Sequence, residues 1–528
     1  MVVSQARRLL DAVDRWRVAA MARRASDADR TLVPVRHASR WQPGAVAAQR
    51  PVAEVVREIL DEVVAACRAA GADPQVLPAR NPLRTRVAVP VEQREPVVTA
   101  LCARAHRAGL LARDGRDRRP LERIPAARLT DRDEISVFCT LTAASGHGAF
   151  VGEEHGCDLE FHRPDPEVAG ARALRPGNQI TERVPEELAQ PAEVEVLGRR
   201  YPTWTPFAAP RPLERVDFPI DVVYTWVDGA DEAWRRRKDR YLAEAGRGNE
   251  QAANASRYED REELRYSLRS LHLNAEWVNH VWLVTDRQVP AWLDASHPSI
   301  TVVDHRDIFA DPEVLPTFNS HAIESQLHHI EGLTEHFLYM NDDVYLGRWT
   351  RPETFFLPNG MPRFFPSRHQ LDPGPATDAD PPVMAAGKTG RDLLHARFGR
   401  LVTQKLKHVP HALRRSTLDE IEREFPTELR RTMGSRFRSP DDVSLASAFA
   451  HHYGFLTGRA VPGDLRYRYL DLVEPALLQW LERMRRERPF EMFCINDTIG
   501  TDEQLRRRGR VVVEFLEDYF CCPSPLER

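Results

Sequence analysis

The sequence has few lysines and few cysteines, and it has no long apolar run. Lysine occurs at only four of the 74 basic positions, so arginine supplies nearly all of the positive charge. The seven cysteines are scattered apart from the adjacent pair Cys521 and Cys522, and they lack the paired spacing of a metal site. No stretch approaches the ~20 consecutive apolar residues of a transmembrane helix. The composition therefore argues against a disulfide scaffold, a cysteine-ligated zinc site and a membrane-spanning protein.

Net charge and the N-terminal segment bear on partners and location. A net charge of −4 does not indicate a nucleic-acid-binding protein, so we expect no nucleic-acid partner. Residues 1–26 lack an apolar block before a cleavage site, and they alternate Arg with Leu, Val and Ala, which predicts a basic amphipathic helix rather than a secretory signal. Such a helix packs on its own protein or lies on an anionic membrane surface. We therefore expect a cytoplasmic protein, with peripheral contact at the inner face of the membrane left open.

The length of 528 residues exceeds one ordinary domain, because domains usually hold ~100–200 residues. Residues 1–200 mix helix and strand signals and predict an N-terminal α/β accessory module of unknown role. The Pro-rich passage 201–219 predicts a linker. Residues 220–528 then predict a second, catalytic domain. The helices expected in the first module are 52–70 and 91–109, and its strands are 86–89, 134–141 and 157–162.

The second domain alternates strands with helices, which predicts the α/β class: a mostly parallel, Rossmann-like sheet with helices on both faces, similar to nucleotide-sugar transferases. Residues 372–390 predict a mobile loop, and residues 391–480 a mainly helical stretch. The predicted strands are 220–226, 281–285, 300–303 and 337–340, and the predicted helices are 262–274, 319–330 and 501–519.

The run FLYMNDDV at 337–344 carries the strongest local signal. A buried strand ends there in Asn341, Asp342 and Asp343, and strand-end carboxylates of α/β sheets lie at the ligand crevice. Two adjacent acids repel each other, so a metal ion, an arginine or a shared proton is expected nearby. Other predicted strands also end in acids, among them Asp228, which favours a site over an ordinary Asn-Asp turn.

Three further segments carry candidate chemistry, each with a structural alternative. His321, Glu324 and His328 share one face of the predicted helix, which suits either a metal site or a solvated face. His408, in the string HVPH, suits a general base held by a rigid turn, although a histidine in a helical region is more often structural. Arg438 precedes an acid pair, and it either clamps a phosphate or forms a local ion-pair turn.

Together these strings resemble the Stealth proteins, which are bacterial capsule and exopolysaccharide phosphotransferases related to the animal GlcNAc-1-phosphotransferase. The matching strings include IDVVYTWVDG at 220–229, LPTFNSHAIESQLHHIEGL with FLYMNDDVYLG inside 262–347, HVPH at 408–411, RFRSPDD at 436–442 and FCINDT at 493–498. The layout is most similar to actinobacterial exopolysaccharide phosphotransferases. The resemblance does not cover residues 1–200, and its blocks lie near 220–246, 256–360, 405–455 and 489–528.

The resemblance implies transfer of a hexose 1-phosphate, expected to be GlcNAc-1-phosphate, from a UDP-sugar to a hydroxyl of a glycan acceptor. The product would be a phosphodiester and the by-product UMP. A metal-dependent glycosyltransferase that releases UDP and a non-catalytic glycan-binding scaffold are the alternatives. For residues 1–200, acceptor positioning, homodimer formation and membrane docking all stay open.

The resemblance also assigns roles to individual residues. His408 would be the base, Glu324 would share that role or orient the sugar, and Arg438 would stabilise charge on the attacked phosphorus. Mg²⁺ or Mn²⁺ would offset the charge of the diphosphate. The metal ligands would be Asp342, which is also counted as catalytic, Asp343 and Asp497. The substrate contacts would be Trp226, Asp228, Gly229, Asn319, His321, Asn341 and Asn496.

Overall fold

The computed structural model describes residues 2–26, 31–37, 40–79, 81–115, 117–143, 148–174, 181–208, 213–245, 258, 260–496 and 502–528. The chain forms two compact units. The first comprises Met1–Arg211 and Trp480–Pro489, and the second comprises Pro212–Gln479 and Phe490–Arg528. The second unit therefore lacks a short stretch of the predicted domain 220–528.

The first unit is a mixed α/β structure, as predicted. Its largest sheet has β10 (Gly156–Pro164) at the centre, parallel to β4 (Arg84–Pro90) and antiparallel to β7 (Glu134–Phe138). The helix α2 (Val52–Ala69) buries its apolar stripe. Its helices are α1 (Val2–Ala25), α2 (Val52–Ala69), α3 (Arg94–Ala108), α4 (Ala126–Thr130) and α5 (Thr205–Ala208). Its strands are β1 (Leu32–His37), β2 (Arg40–Val46), β3 (Gln75–Leu77), β4 (Arg84–Pro90), β5 (Leu111–Asp114), β6 (Asp117–Pro120), β7 (Glu134–Phe138), β8 (Leu141–Thr142), β9 (Ala149–Val151), β10 (Gly156–Pro164), β11 (Ala171–Ala173), β12 (Arg183–Pro185), β13 (Pro191–Val196) and β14 (Arg199–Trp204).

The passage predicted as a linker begins with regular structure. Residues 201–204 belong to β14, which pairs antiparallel with β13. The hydroxyl of Thr203 donates to the carbonyl of Val76 at 2.7 Å, and Trp204 is buried against Leu77. The hydrogen bond of Thr203 and the burial of Trp204 therefore hold residues 201–204 in the first unit, although the prolines of the passage suggested a break in structure.

The second unit contains a five-stranded sheet and most of the helices of the C-terminal half. Its strands are β15 (Ile220–Thr225), β16 (Val281–Thr285), β17 (Ile300–Asp304), β18 (His336–Asn341), β19 (Val344–Leu346), β20 (Arg363–Phe364), β21 (Pro366–Gln370), β22 (Gln404–Leu406), β23 (His411–Arg414), β24 (Val461–Pro462), β25 (Tyr467–Asp471) and β26 (Met492–Asn496). Its helices are α6 (Glu232–Ala245), α7 (Glu263–Asn274), α8 (His305–Ile308), α9 (Ser320–Glu324), α10 (Pro382–Phe398), α11 (Arg415–Glu424), α12 (Pro426–Gly434), α13 (Ala450–Leu456) and α15 (Asp502–Tyr519), with the start of α14 (Leu477–Glu487).

The sheet has the order β17-β16-β15-β18-β23. The first four strands are parallel, and β23 runs antiparallel to β18. Successive side chains of a strand point to opposite faces, so Val222 and Tyr224 pack in one core with Leu268 of α7. Val223 packs in a second core with Leu418 of α11. Both faces are covered, which confirms the predicted α/β class.

Residues 319–330 do not form the single helix that their periodicity predicted. The helix α9 ends at Glu324, and a separate 3₁₀ turn spans Leu327–His329. The hydroxyl of Ser325 donates to the carbonyl of Ala322 at 2.7 Å. Such local hydrogen bonds of serine compete with the helical ones. The face carrying His321, Glu324 and His328, for which a solvated position was one of the two alternatives, is buried, with Glu324 at 3% exposure.

Two other predictions for the C-terminal half need correction. The predicted loop 372–390 contains the start of α10, where Pro382 occupies the first turn, a position that suits proline. Arg391 of that helix donates to the carbonyls of Asp372 and Gly374 at 2.9 and 2.6 Å. The mainly helical stretch 391–480 also contains four short strands. In the described part of the chain, no helix is long and apolar enough to cross a membrane.

Candidate active site

The carboxyl ends of β15 and β18 lie side by side. The two strands pair in parallel, with Thr225 opposite Asn341. The hydroxyls of Thr225 and Tyr339 lie 3.1 Å apart and join the strand ends. The loop 226–229 and the acids at 342–343 therefore leave the sheet at the same edge, where α/β sheets bind ligands.

Asp343 is the centre of a hydrogen-bonded cluster. Its Oδ1 lies 3.1 Å from Nε2 of His408. Its Oδ2 accepts from Nδ2 of Asn496 at 2.8 Å and from the thiol of Cys494 at 3.2 Å. Two strand pairings assemble the cluster: β19 with β26, which places Val344 opposite Cys494, and β18 with β23, which begins shortly after His408.

The surroundings favour charge on both partners of the Asp343–His408 pair. Burial disfavours the imidazolium of His408, but the charge and hydrogen bond of Asp343 offset burial and raise the pKa of His408. Burial also opposes ionisation of Asp343, yet the charge and hydrogen bond of His408 lower the pKa of Asp343. The carboxylate thereby fixes the ring orientation of His408, whose side chain is 32% exposed.

Glu324 and Arg438 lie within electrostatic reach of this pair. After burial and the partner carboxylate, the next contributions to the pKa of His408 come from Glu324, which raises it, and Arg438, which lowers it. Glu324 is buried, and its Oε2 accepts from the backbone N–H of Ser447 at 3.2 Å. Arg438 donates from Nη2 to the hydroxyl of Ser320, at the start of α9, at 2.7 Å. The fold thus brings together His408, Glu324 and Arg438.

Asn319 and His321 are buried behind the site, at 0% and 3% exposure. Both contact Asp442: its Oδ2 accepts from Nδ2 of Asn319 at 2.8 Å and lies 3.4 Å from Nδ1 of His321. The same oxygen accepts from the backbone N–H of Ser439 at 2.9 Å. These contacts tie the segment that carries Arg438 to the start of α9, so the structure gives Asn319 and His321 a supporting position rather than an open one.

The segment 226–229, predicted from the resemblance to contact the donor, is shaped by close backbone packing. Trp226 is 7% exposed and packs in the core beneath the sheet edge. A Cβ on Gly229 would lie 2.1 Å from the carbonyl oxygen of Tyr258, whereas the N–H of Gly229 donates to that oxygen at 2.7 Å. The carboxylate of Asp228 accepts from the N–H of Ala230 at 2.7 Å and closes the turn. Donor contact by these residues stays a prediction.

Four carboxylates lie close enough to influence one another at the strand edge. Burial raises the pKa of Asp342 well above its usual value, and the charges of Asp343, Glu263 and Asp260 raise it further. Burial raises the pKa of Glu263 to about 8 and that of Asp260 in the same direction. Asp497, the third predicted metal ligand, lies outside the described residues.

The donor chemistry of these carboxylates fits a divalent cation. Carboxylate oxygens are the ligands that Mg²⁺ and Mn²⁺ prefer. A cation would relieve the repulsion that raises the pKa of Asp342. The ligand atoms of Asp343, His408 and Cys494 also lie within 4.8 Å of one another, but a thiolate and an imidazole suit zinc better than magnesium.

The remaining predicted residues have more local partners. Asn341 is partly exposed at the end of β18. Asp286 accepts from Arg237 at 2.8 Å, and Asp304 accepts from the N–H of Arg306 at 2.9 Å and caps α8. Asp286 and Asp304, the carboxylates at the ends of β16 and β17, are thus engaged in local contacts.

Sequence reasoning did not single out Cys494, Asp260, Glu263 or Asp442 as parts of the site. Cys494 and Asn496 are two residues apart in β26, so they share a face of the strand, and this spacing was a usable signal. Asp260 and Glu263 lie in the acidic stretch that precedes and begins α7. Nothing in that stretch distinguishes a buried acid from a solvated one.

Four family descriptions match the chain in order. Stealth protein conserved regions 1, 2, 3 and 4 match residues 218–246, 257–364, 407–455 and 482–528, respectively. Two exopolysaccharide phosphotransferases of Streptomyces coelicolor are 46% and 42% identical over 89% and 98% of this chain, and over 82% and 91% of their own lengths. The exopolysaccharide phosphotransferase CpsY of Mycobacterium tuberculosis is 39% identical over 72% of this chain and 71% of its own length.

The α/β fold and these relatives together define a transferase. The chain belongs to the Stealth family.

Proposed function

We propose that the protein transfers a hexose 1-phosphate, GlcNAc-1-phosphate in the first instance, from a UDP-sugar to a hydroxyl of a glycan acceptor during exopolysaccharide or capsule synthesis. The reaction forms a phosphodiester and releases UMP. The names of the relatives support phosphotransfer in exopolysaccharide synthesis. The observation that carries the proposal is the Asp343–His408 pair beside Glu324 and Arg438.

His408 is the proposed base. Its Nε2 faces the Asp343 carboxylate, and its Nδ1 makes no hydrogen bond to any part of the chain that the structure describes. Nδ1 is therefore the ring nitrogen available to take the proton of the acceptor hydroxyl. A carboxylate that fixes the ring and stabilises the imidazolium is a common arrangement for a general base. This assigns Asp343 to orienting the base, in addition to the metal-binding role predicted from sequence.

Arg438 is the proposed electrostatic stabiliser of the attacked phosphorus. A guanidinium held in place before the reaction stabilises charge that develops on phosphoryl oxygens. Its hydrogen bond to Ser320 and the Asp442 contacts that support its segment provide this fixed position. Oε2 of Glu324 accepts from the backbone N–H of Ser447 and from the hydroxyl of Ser444. Among the contacts of the described residues, this leaves Oε1 for the sugar or the acceptor.

Asp342, Asp260 and Glu263 are the proposed cation ligands. Mg²⁺ or Mn²⁺ bound there would neutralise charge on the diphosphate of the donor. Without an ion, burial and neighbouring carboxylates raise the pKa values of all three acids and so favour their uncharged forms. A bound cation would favour the carboxylates instead, so binding of the ion should release protons.

The released nucleotide tests the proposed function. The protein is incubated with a panel of UDP-sugars, Mg²⁺ or Mn²⁺, and a glycan acceptor, and the nucleotide product is identified by mass. UMP with a phosphodiester-linked product supports phosphotransfer. UDP supports the alternative, a metal-dependent glycosyltransferase. Donor binding without any nucleotide release favours a non-catalytic glycan-binding scaffold.

A further inference from the structure

Two adjacent histidines converge on one carboxylate outside the candidate active site. Nε2 of His328 and Nε2 of His329 lie 2.9 and 3.0 Å from the same Oε2 of Glu422. Oδ1 of Asp419, one turn earlier in α11, lies 3.9 Å from Nε2 of His328. The histidines end the 3₁₀ turn that follows α9, whereas both acids belong to α11. The cluster therefore joins two segments that are distant in sequence.

The hydrogen bonding of His329 fixes which ring nitrogen carries the proton. Its Nδ1 lies 3.1 Å from the carbonyl oxygen of Ile308, and a carbonyl only accepts, so Nδ1–H donates. Neutral His329 then presents the lone pair of Nε2 to the lone pairs of Glu422. That contact is repulsive unless a cation lies between the two atoms, either a proton or a metal ion. Donation from the second nitrogen to a carbonyl is also the usual support of a metal-bound histidine.

The distances and charges of the cluster suit a metal ion. The ligand atoms of His328, His329 and Glu422 all lie within 4.8 Å of one another. The ligands of a tetrahedral zinc ion with bonds of 2.0–2.1 Å lie about 3.3 Å apart, close to the two nitrogen–oxygen distances observed. Glu422 and Asp419 bring two negative charges, which match one divalent cation. His329 and Glu422 are 30% and 37% exposed, so an ion has access from solvent.

We propose that His328, His329 and Glu422, with Asp419 at the open side, form a zinc site that is separate from the catalytic centre. The site would tie the turn after α9 to α11. Glu324 lies four residues before His328, so the same link would hold the segment that carries Glu324. The inference does not rest on the identity of the donor or the acceptor.

Zinc binding to the purified full-length protein tests the site. After treatment with a chelator, the protein is dialysed against Zn²⁺, and bound metal is counted per chain. Titration with Co²⁺ then reports tetrahedral coordination through its visible absorption. We expect one tightly bound zinc per chain in the parent protein, and an affinity at least ~100-fold lower in His329→Ala and in Glu422→Gln.

Two matched variants separate this site from other zinc-binding groups. His395→Ala removes an exposed histidine of α10 and should keep the bound zinc. Cys494→Ser removes the thiol of the active-site group and should also keep it. Circular dichroism establishes that each variant is folded, and Glu422→Gln preserves side-chain shape. The inference is wrong if the parent protein binds no zinc, because the histidines and Glu422 would then share only a proton. It is also wrong if zinc binding is lost in Cys494→Ser and kept in both His329→Ala and Glu422→Gln.

Discussion

Nε2 of His408 and Oδ1 of Asp343 lie 3.1 Å apart, although 65 residues separate them in the chain. The contact joins the end of β18 to the turn before β23, two neighbouring strands of one sheet. It couples the acid pair, which the sequence marks as a strand-end site, to the one histidine assigned as base.

Replacing His408 by Ala should lower kcat at least ~100-fold, since a general base usually contributes 10²–10⁴-fold. Donor affinity, measured by calorimetry, should change little because the ring is assigned to the acceptor proton. His395→Ala, at an exposed position on α10, is the control and should keep full activity. Near-normal turnover in His408→Ala with intact donor binding would rule out His408 as the base.

Arg438→Lys should lower kcat by ~100-fold or more, although it keeps the charge. Lysine lacks the planar group that binds two phosphoryl oxygens at once, and loss of one preorganised donor typically costs 10²–10³-fold. Arg430→Lys, on the exposed face of α12, is the matched control. If Arg438→Lys raises only KM, the arginine contributes to ground-state binding and not to the reaction step.

Asp342→Asn should affect Tm in two separate ways, one through repulsion among the acids and the other through cation binding. The pKa of Asp342 is raised by burial and by neighbouring carboxylates, so the substitution relieves strain in the metal-free protein. We expect an unchanged or higher Tm without metal, and loss of the Tm increase that Mn²⁺ or Mg²⁺ gives the parent protein. An equal Mn²⁺-dependent increase in both proteins would place the cation elsewhere.

Gly229→Ala should destabilise the second unit by about 1–3 kcal/mol, the usual cost of forcing extra atoms into close packing. The added Cβ would meet the carbonyl oxygen of Tyr258 at 2.1 Å. Gly434→Ala is the matched control, because no atom lies within 4 Å of its Cβ and the alanine should be neutral or slightly stabilising. Equal unfolding free energies for the two variants in urea would refute the steric argument.

Glu527→Gln should cost about 3 kcal/mol at neutral pH, because it removes the buried negative charge that Arg269 and Arg265 share. Oε1 and Oε2 of Glu527 accept from Arg269 and Arg265 at 2.7 and 2.6 Å, and the Glu527 side chain is 4% exposed. Burial disfavours the carboxylate, but the arginine hydrogen bonds prevail and lower the pKa of Glu527 below its usual 4.5.

The lowered pKa of Glu527 sets the pH dependence of that effect. The stabilisation is fully present above the unfolded pKa, and it is lost as the pH falls through the folded pKa. The difference in unfolding free energy between parent and Glu527→Gln should therefore be constant from about pH 7 to 5 and shrink at lower pH. A difference that grows on acidification would contradict the assignment.

The parallel sheet could be predicted because its strands are continuous apolar runs in the sequence and are buried on both faces in the structure. The β-branched runs at 220–225 and 281–285 are buried on both faces, and such strands form continuous apolar runs. Residues 319–330 were predicted wrongly because apolar periodicity continues where Ser325 ends the helical hydrogen bonding. Periodicity records which residues are apolar, and it does not record competition by a side-chain hydroxyl.

The candidate site could be predicted in part. The acid pair at the strand end, His408 and Arg438 came from motif strings, and the structure brings them together. Asn319 and His321 are buried, and both contact Asp442, which lies more than 100 residues away in the chain. The acids Asp260 and Glu263 depend on how α7 packs. Such long-range contacts follow from the fold and have no local sequence signal.

The fate of the β-phosphate of the donor tests the central claim most directly. A UDP-sugar labelled with ³²P in the β-phosphate is incubated with the protein, acceptor and Mg²⁺, with His408→Ala as the control. We predict that the label enters the acceptor product in a 1:1 ratio with released UMP, and that both fall together in His408→Ala. Label released as UDP, with an unlabelled glycan product, would contradict sugar 1-phosphate transfer.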